Sequence, residues 1–114
     1  HVTATGRALL SQMAPADRAT VLRRATFERY TGTTLMSVAA VEKEIKRSLE
    51  RGWFEGNGEF TEDLGGVALP LKMPHRQFAL LVAGPMSRVK ARSQELAGLI
   101  QKEISRYAKE TGGA

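Results

Sequence analysis

The 114-residue chain has no cysteine. That excludes disulfides, thiolate nucleophiles and cysteine-ligated zinc or iron–sulfur sites, and it fits a reducing cytoplasm. Only two histidines are present, His1 at the start and His75 in an expected turn. No His-x-x-x-His, His-Glu-x-x-His or two-histidine-one-carboxylate spacing arises, so no dedicated metal site or cofactor is expected. No uninterrupted apolar run is long enough to cross a bilayer, so no membrane partner is expected. The opening HVTATGRALL lacks the basic start and small-residue cleavage site of a signal peptide. Ser11, Ser37 and Ser48 have no nearby histidine and no Gly-x-Ser-x-Gly elbow. The glycines at 56, 58, 65 and 66 make neither a Gly-x-Gly-x-x-Gly fingerprint nor a Walker loop. With these pieces missing, there is no positive case for an enzyme.

What is there is ordinary globular material. Hydrophobic residues make up 42% and charged ones 25%, which argues against disorder throughout and suits one domain or part of one. The net charge of +5 is spread from Arg7 to Lys109. The densest block, Lys43 to Arg51, is interleaved with Glu42, Glu44 and Glu50, so it reads as a solvated helix face rather than a phosphate-binding stripe.

The periodicities give helices first, a small sheet next and one long helix last. Residues 4–13 put Leu9, Leu10 and Met13 on one helix face, with Thr3 or Thr5 as the N-cap. Pro15 suits the first position of a second short helix, whose apolar positions are Ala19, Val21 and Leu22. The stretch RYTGTTL (29–35) reads as an extended connector. Ser37 caps a helix over 38–51, in which Val38, Val41, Ile45 and Leu49 make one stripe. Glu42 and Lys46 are spaced to pair, and Gly52 stops the helix. Residues 52–57 then run as a strand into a turn at Gly56, Asn57 and Gly58.

Residues 64–71 and 76–83 read as an antiparallel hairpin around a turn containing Pro74 and His75. Pro70 cannot donate a ladder bond, so it marks an edge or a strand end. Gly84 and Pro85 end the second strand. The last helix covers about 90 to 110, with Leu96, Ile100, Ile104 and Tyr107 inward, Leu99 beside them and Gly112-Gly113 beyond.

The two faces of that hairpin differ in bulk. Side chains alternate along a strand, so one face carries Val67, Leu69 and Leu71 with Phe78, Leu80 and Val82, a set suited to helix packing. The other carries Leu64, Gly66, Ala68 and Pro70 with Ala79, Leu81 and Ala83. A face with so little bulk either meets a helix closely or leaves room for a ligand. Of the remaining candidates, the carboxylates Glu59, Glu62 and Asp63 lie together in a loop, and Trp53 reads as a core anchor rather than a base-stacking platform.

Taken in order, these segments resemble one family. HVTATGRALL resembles the helix-opening motif of the IclR (isocitrate lyase regulator) transcription factors: His, one or two small residues, then Gly-Lys/Arg-Ala-Leu-Leu. RYTGTTL is similar to that family's Tyr-Thr-x-x-Thr-aliphatic connector. VEKEIKRSLERGWFEGNGEF looks like its helix ending in Arg-x-x-Gly-aromatic before an acidic turn. VALPL (67–71), ALLVAGPMSRV (79–89) and ISRYAKETGG resemble its two strands and closing helix. Each piece is weak alone, but the ordered set covers nearly the whole chain.

The resemblance implies an α+β fold: a GAF-like curved antiparallel sheet flanked by helices, here lacking its N-terminal strands. Residues 1–114 would be the second half of an effector-binding domain. The winged helix-turn-helix domain that contacts DNA would lie N-terminal to His1, with no DNA-binding domain in this chain. The implied protein is a cytoplasmic homodimer or tetramer in which a small metabolite alters operator affinity. An oligomerisation module with a vestigial pocket, and an enzyme with an unrecognised site, are the competing readings.

Carried over residue by residue, the effector site would comprise Ala4, Thr5 and Gly6 at the helix start, Gly56 and Asn57 from the turn, Leu64 and Gly66 from one strand, and Leu81 and Ala83 from the next. The family often has Asp at the position of Gly56, Cys at Gly66, Ser at Leu81 and Ala83, and Gly at Asp63. The polar partners a small carboxylate needs once desolvated are thus scarce. Those left are the Thr5 hydroxyl, the Asn57 amide and backbone N–H groups near Gly6. The expected effector is therefore larger and more apolar than a two- or three-carbon acid, an aromatic acid for example.

Overall fold

The computed structural model describes residues 1–73 and 76–110. Thr3 opens helix α1 (Ala4–Ser11) by accepting the Gly6 N–H on its hydroxyl at 2.9 Å. The helix is shorter than the expected 4–13. Its inward face is Ala4, Arg7 and Ala8, while Leu9, Leu10 and Met13 are only half-buried. Small residues let α1 lie close against the sheet, which decides the face over simple hydrophobicity. Helix α2 (Pro15–Arg24) begins at its proline and buries Leu22, leaving Val21 exposed. The 29–35 connector folds into a turn at Thr31–Thr34 rather than running extended.

Helix α3 (Val38–Arg51) follows the expected bounds. The Ser37 hydroxyl accepts the Ala40 N–H at 3.1 Å, and Gly52 ends the helix at a φ of 104°. Ser37→Ala should lower stability by about 1 kcal/mol, measurable by urea unfolding. The buried stripe is Val41, Ile45 and Ser48, not Leu49, which is 55% exposed. Ser48 tolerates burial because its hydroxyl donates to the Glu44 carbonyl at 2.7 Å. Glu42 does not pair with Lys46; its carboxylate takes the Arg18 Nε–H of α2 at 3.0 Å.

Strands β1 (Phe54–Asn57), β2 (Leu64–Met73) and β3 (Arg76–Pro85) form one antiparallel sheet in the order β1-β2-β3. The hairpin register pairs Val67 with Val82, Leu69 with Leu80 and Gly66 with Ala83, which gives the bulky and small faces expected. β2 is the central strand, yet β1 pairs only with Gly65–Ala68. Pro70 lies past that pairing, where β2 has one neighbour and a missing donor costs nothing on the open side. The expected turn at Pro74 and His75 and the Gly112-Gly113 ending lie outside the described residues.

After β3, the chain makes two helices rather than one. α4 (Met86–Ala91) closes when the Arg92 N–H bonds the Val89 carbonyl at 3.1 Å, and α5 (Ser93–Glu110) follows. They cover the bulky face and bury Val67 and Leu69 with Val89, Ala97 and Ile100. α1, α2 and α3 cover the other side, where Ala4, Ala8, Leu22, Val41, Ile45, Phe54 and Ala68 make the second core.

The coverage is uneven. Phe78, Leu80 and Val82 of the bulky face stay exposed instead of packing under a helix, and Leu99 and Tyr107 of α5 are also exposed. Leu81, on the other face of β3, is exposed as well. β3 is thus an edge strand with apolar side chains on both faces and no charged residue from 77 to 85. Soluble proteins ordinarily guard such edges with charge, proline or a covering element.

Candidate functional site

The small face is divided between the two uses its composition allowed. At one end α1 lies on it, with Ala4 and Ala8 packed in the core with Ala68, and Ala79 joining from β3. Beside that packed region, toward Leu64 and Ala83, the face is not filled and a cavity of about 90 Å³ remains. The entrance to α1 contributes Val2, Thr3, Ala4 and Thr5, and β1 contributes Gly56. The following loop adds Gly58, Glu59, Phe60 and Thr61, β2 adds Leu64, Gly65 and Gly66, and β3 adds Leu81 and Ala83.

Seven of the nine residues singled out from sequence therefore meet around one space: Ala4, Thr5, Gly56, Leu64, Gly66, Leu81 and Ala83. Gly6 and Asn57 do not line it. Gly6 gives its N–H to the Thr3 hydroxyl, so that amide is not available to a guest. Asn57 is engaged through its backbone, donating to the Glu59 carboxylate and accepting from the Thr33 hydroxyl at 3.1 Å. Sequence reasoning missed the loop wall and the residues ahead of the helix; the carboxylate cluster was the visible signal for the loop.

That cluster is not a functional triad. Glu62 and Asp63 are exposed, whereas Glu59 is buried against Arg7, which has no exposed surface. The guanidinium donates from Nη2 to Glu59 Oε1 at 2.7 Å and to the Glu55 carbonyl at 2.6 Å, and from Nη1 to the His1 carbonyl at 3.0 Å. The second Glu59 oxygen accepts the Asn57 N–H. The buried charge is therefore paired and hydrogen-bonded on both oxygens, as burial demands.

The loop is also anchored from behind. The Thr31 hydroxyl donates to the Gly58 carbonyl and the Thr34 hydroxyl to the Glu59 carbonyl, both at 2.5 Å. Gly58 has a φ of 76°, and a Cβ there would fall 2.5 Å from the Glu62 carbonyl oxygen. Only glycine fits that turn.

Among the described residues no lysine, arginine or histidine lines the cavity, and its one carboxylate is neutralised by Arg7. The walls are mostly apolar. The polar lining residues are Thr3, Thr5, Glu59 and Thr61, and of these Thr5 has a buried hydroxyl without a hydrogen-bond partner in the protein. Buried polar atoms are rarely left so, and each invites an explanation. On the far face of the sheet, Glu55 and Trp53 form a separate cluster. The indole N–H donates to the Glu55 carboxylate at 2.9 Å, and Arg51 stands 5.4 Å from the ring centroid. Burial pushes the Glu55 carboxyl up, but hydrogen bonds from Trp53 and Ser93 and the Arg51 charge hold it below its ordinary value.

Comparison with known proteins gives this geometry a context. Residues 1–107 match the family described as bacterial transcriptional regulator IclR, C-terminal. The acetate operon repressor of Salmonella typhimurium is 28% identical over 116 residues, a match covering 99% of this chain and 42% of the repressor. The chain thus spans less than half the length of that relative. The C-terminal domain of the Escherichia coli transcriptional regulator KdgR superposes with a TM-score of 0.83 at 25% identity, over 99% of this chain and 70% of that one. The inducer-binding domain of PobR from Acinetobacter, a double mutant in complex with 3-hydroxybenzoic acid, has a TM-score of 0.81 at 16% identity, over 94% of this chain and 63% of that one. At that identity the likeness speaks for the fold alone.

Proposed function

The chain belongs to the IclR C-terminal family of bacterial transcriptional regulators, and from that premise we propose that its cavity is an effector site. A small, largely apolar organic acid binds between the start of α1 and the small face of the sheet. Its apolar body rests on Leu64, Leu81 and Ala83, and the Thr5 hydroxyl meets its polar end. Binding shifts the population of a cytoplasmic dimer or tetramer and so changes the operator affinity of a winged helix-turn-helix domain outside these residues. The observation that carries this reading is a mostly apolar cavity lined in part by Thr5, a residue whose buried hydroxyl has no hydrogen-bond partner in the protein.

The same proposal treats residues 1–114 as the later part of an effector domain. Two facts support it. β3 offers a long edge, uncharged from 77 to 85, with apolar residues on both faces. The KdgR C-terminal domain is longer than the part this chain matches. Further strands of the domain would add to that edge.

A thermal-shift and calorimetric comparison of benzoate and 3-hydroxybenzoate with glyoxylate and pyruvate tests the effector class. The aromatic acids should stabilise more. Ala83→Leu, which fills the cavity from an exposed strand position, should abolish the shift and change stability by no more than about 0.5 kcal/mol. Greater stabilisation by the two- or three-carbon acids would overturn the apolar assignment. A module with a vestigial pocket is favoured by one observation, the helix already seated on the Ala68 half of the face. It would give no shift with any acid.

A further inference from the structure

One wall of the cavity is formed by residues 58–61 of the loop between β1 and β2. A loop of this length cannot by itself hold a cavity to a fixed width, yet this one is restrained from both sides. Behind it, the Thr31 and Thr34 hydroxyls grip the carbonyls of Gly58 and Glu59. The grips are themselves fixed, because the Thr34 hydroxyl also accepts the N–H groups of Thr31 at 2.9 Å and Tyr30 at 3.1 Å. In front, Arg7 reaches from α1 to the Glu59 carboxylate while also bonding the carbonyls of His1 and Glu55.

We infer that Arg7 is the positioning residue of the cavity: acting through Glu59, it sets the distance between the start of α1 and the loop wall, and so selects the size of the acid admitted. The inference rests on the effector reading above. Three features carry it. Arg7 does not line the cavity, so it acts at one remove, through a residue that does. Its three acceptors belong to the segment entering α1, to β1 and to the loop, which are three of the elements enclosing the space. Glu59 has each oxygen engaged, one by Arg7 and one by the Asn57 N–H, so the carboxylate cannot turn to follow a ligand without breaking a charge-assisted bond.

Charge alone does not account for this arrangement. A guanidinium presents a rigid planar fork that can serve acceptors in several directions, whereas an ammonium is a point charge on a flexible stem. Arg7→Lys therefore preserves the ion pair but gives up the geometry. Glu59→Gln preserves shape and one acceptor oxygen but gives up the charge.

The experiment compares the wild-type chain, both variants and Ile100→Val, a control in the core on the opposite side of the sheet. Two readouts are taken: amide hydrogen exchange at Asn57, Gly58 and Leu64, and dissociation constants for benzoate and pyruvate by calorimetry. In Arg7→Lys the three amides should exchange about tenfold faster relative to those of α3. Benzoate should bind about tenfold more weakly, with a changed ratio of benzoate to pyruvate affinity. Glu59→Gln should fall between, and Ile100→Val should lower the unfolding midpoint while moving neither readout. The inference is overturned if Arg7→Lys lowers the midpoint as Ile100→Val does, yet leaves both the loop amides and the affinity ratio unchanged. Should the wild type bind none of the acids, the effector reading fails, and the role of Arg7 is then decided by the exchange rates alone.

Discussion

Arg7→Met, made alone, is expected to destabilise the chain by about 3–5 kcal/mol, and adding Glu59→Leu is expected to restore part of that loss. The single change leaves the Glu59 carboxylate buried without its counter-charge, and desolvation of that charge dominates the cost. It also strips a donor from the carbonyls of His1 and Glu55. The double variant removes the stranded charge and fills its volume with hydrocarbon. What remains is the Asn57 N–H without its acceptor, worth about 1–3 kcal/mol, together with the His1 and Glu55 carbonyls still lacking the Arg7 donor. Urea unfolding of the four proteins in the cycle measures the coupling. Equal and additive losses for the two single variants would mean that the pair is not the buried unit described above.

Phe54→Ala should cost a similar amount, about 3–5 kcal/mol, through a different mechanism. Phe54 is 1% exposed and joins residues of α1, α2 and α3 in the core on the small face. Its partner across the strands is Ala68, which is too small to relax into the void. Against a total stability of about 5–15 kcal/mol for a domain of this size, that loss leaves little margin. Leu49→Ala is the matched comparison. Leu49 is exposed on α3 despite its place in the helical period, so its removal should change stability by no more than about 0.5 kcal/mol. Denaturant midpoints for the two variants test whether burial rather than side-chain type sets the cost.

The hairpin was the most legible element. Two apolar runs of strand length with a turn between them fix a register, and the parity of glycines and alanines within them already separated a bulky face from a small one. Ser37 and Gly52 marked α3 to the residue, because capping chemistry is local. Local signals failed where tertiary packing decides. Arg7 looks like a surface residue until Glu59, fifty-two positions away, supplies its charge partner. The buried stripe of α1 is built from alanines, which carry almost no hydrophobic signal, while the leucines beside them are left half-buried. Helix α4 falls mostly between the strand end expected at Gly84 and Pro85 and the helix expected from about 90, in a stretch too short to show a helical period.

The candidate site was legible to the extent that it lies on strands or at the α1 cap. Gly66, Leu81 and Ala83 follow from parity, and Ala4 and Thr5 from the resemblance in the opening motif. The loop wall was not legible, since residues 58–61 have no period and owe their placement to threonines in a distant connector. Three threonines in seven residues read as generic turn composition. That their hydroxyls are aimed at three successive carbonyls, those of Asn57, Gly58 and Glu59, becomes evident only in three dimensions.

How that wall is fastened bears on ionic strength. Hydroxyl donors on backbone oxygens have no net charge for dissolved ions to screen, and the Arg7–Glu59 contact lies too deep for counter-ions to weaken it much. Changes in salinity that strongly alter how a protein grips a nucleic acid would therefore leave the dimensions of this cavity almost untouched.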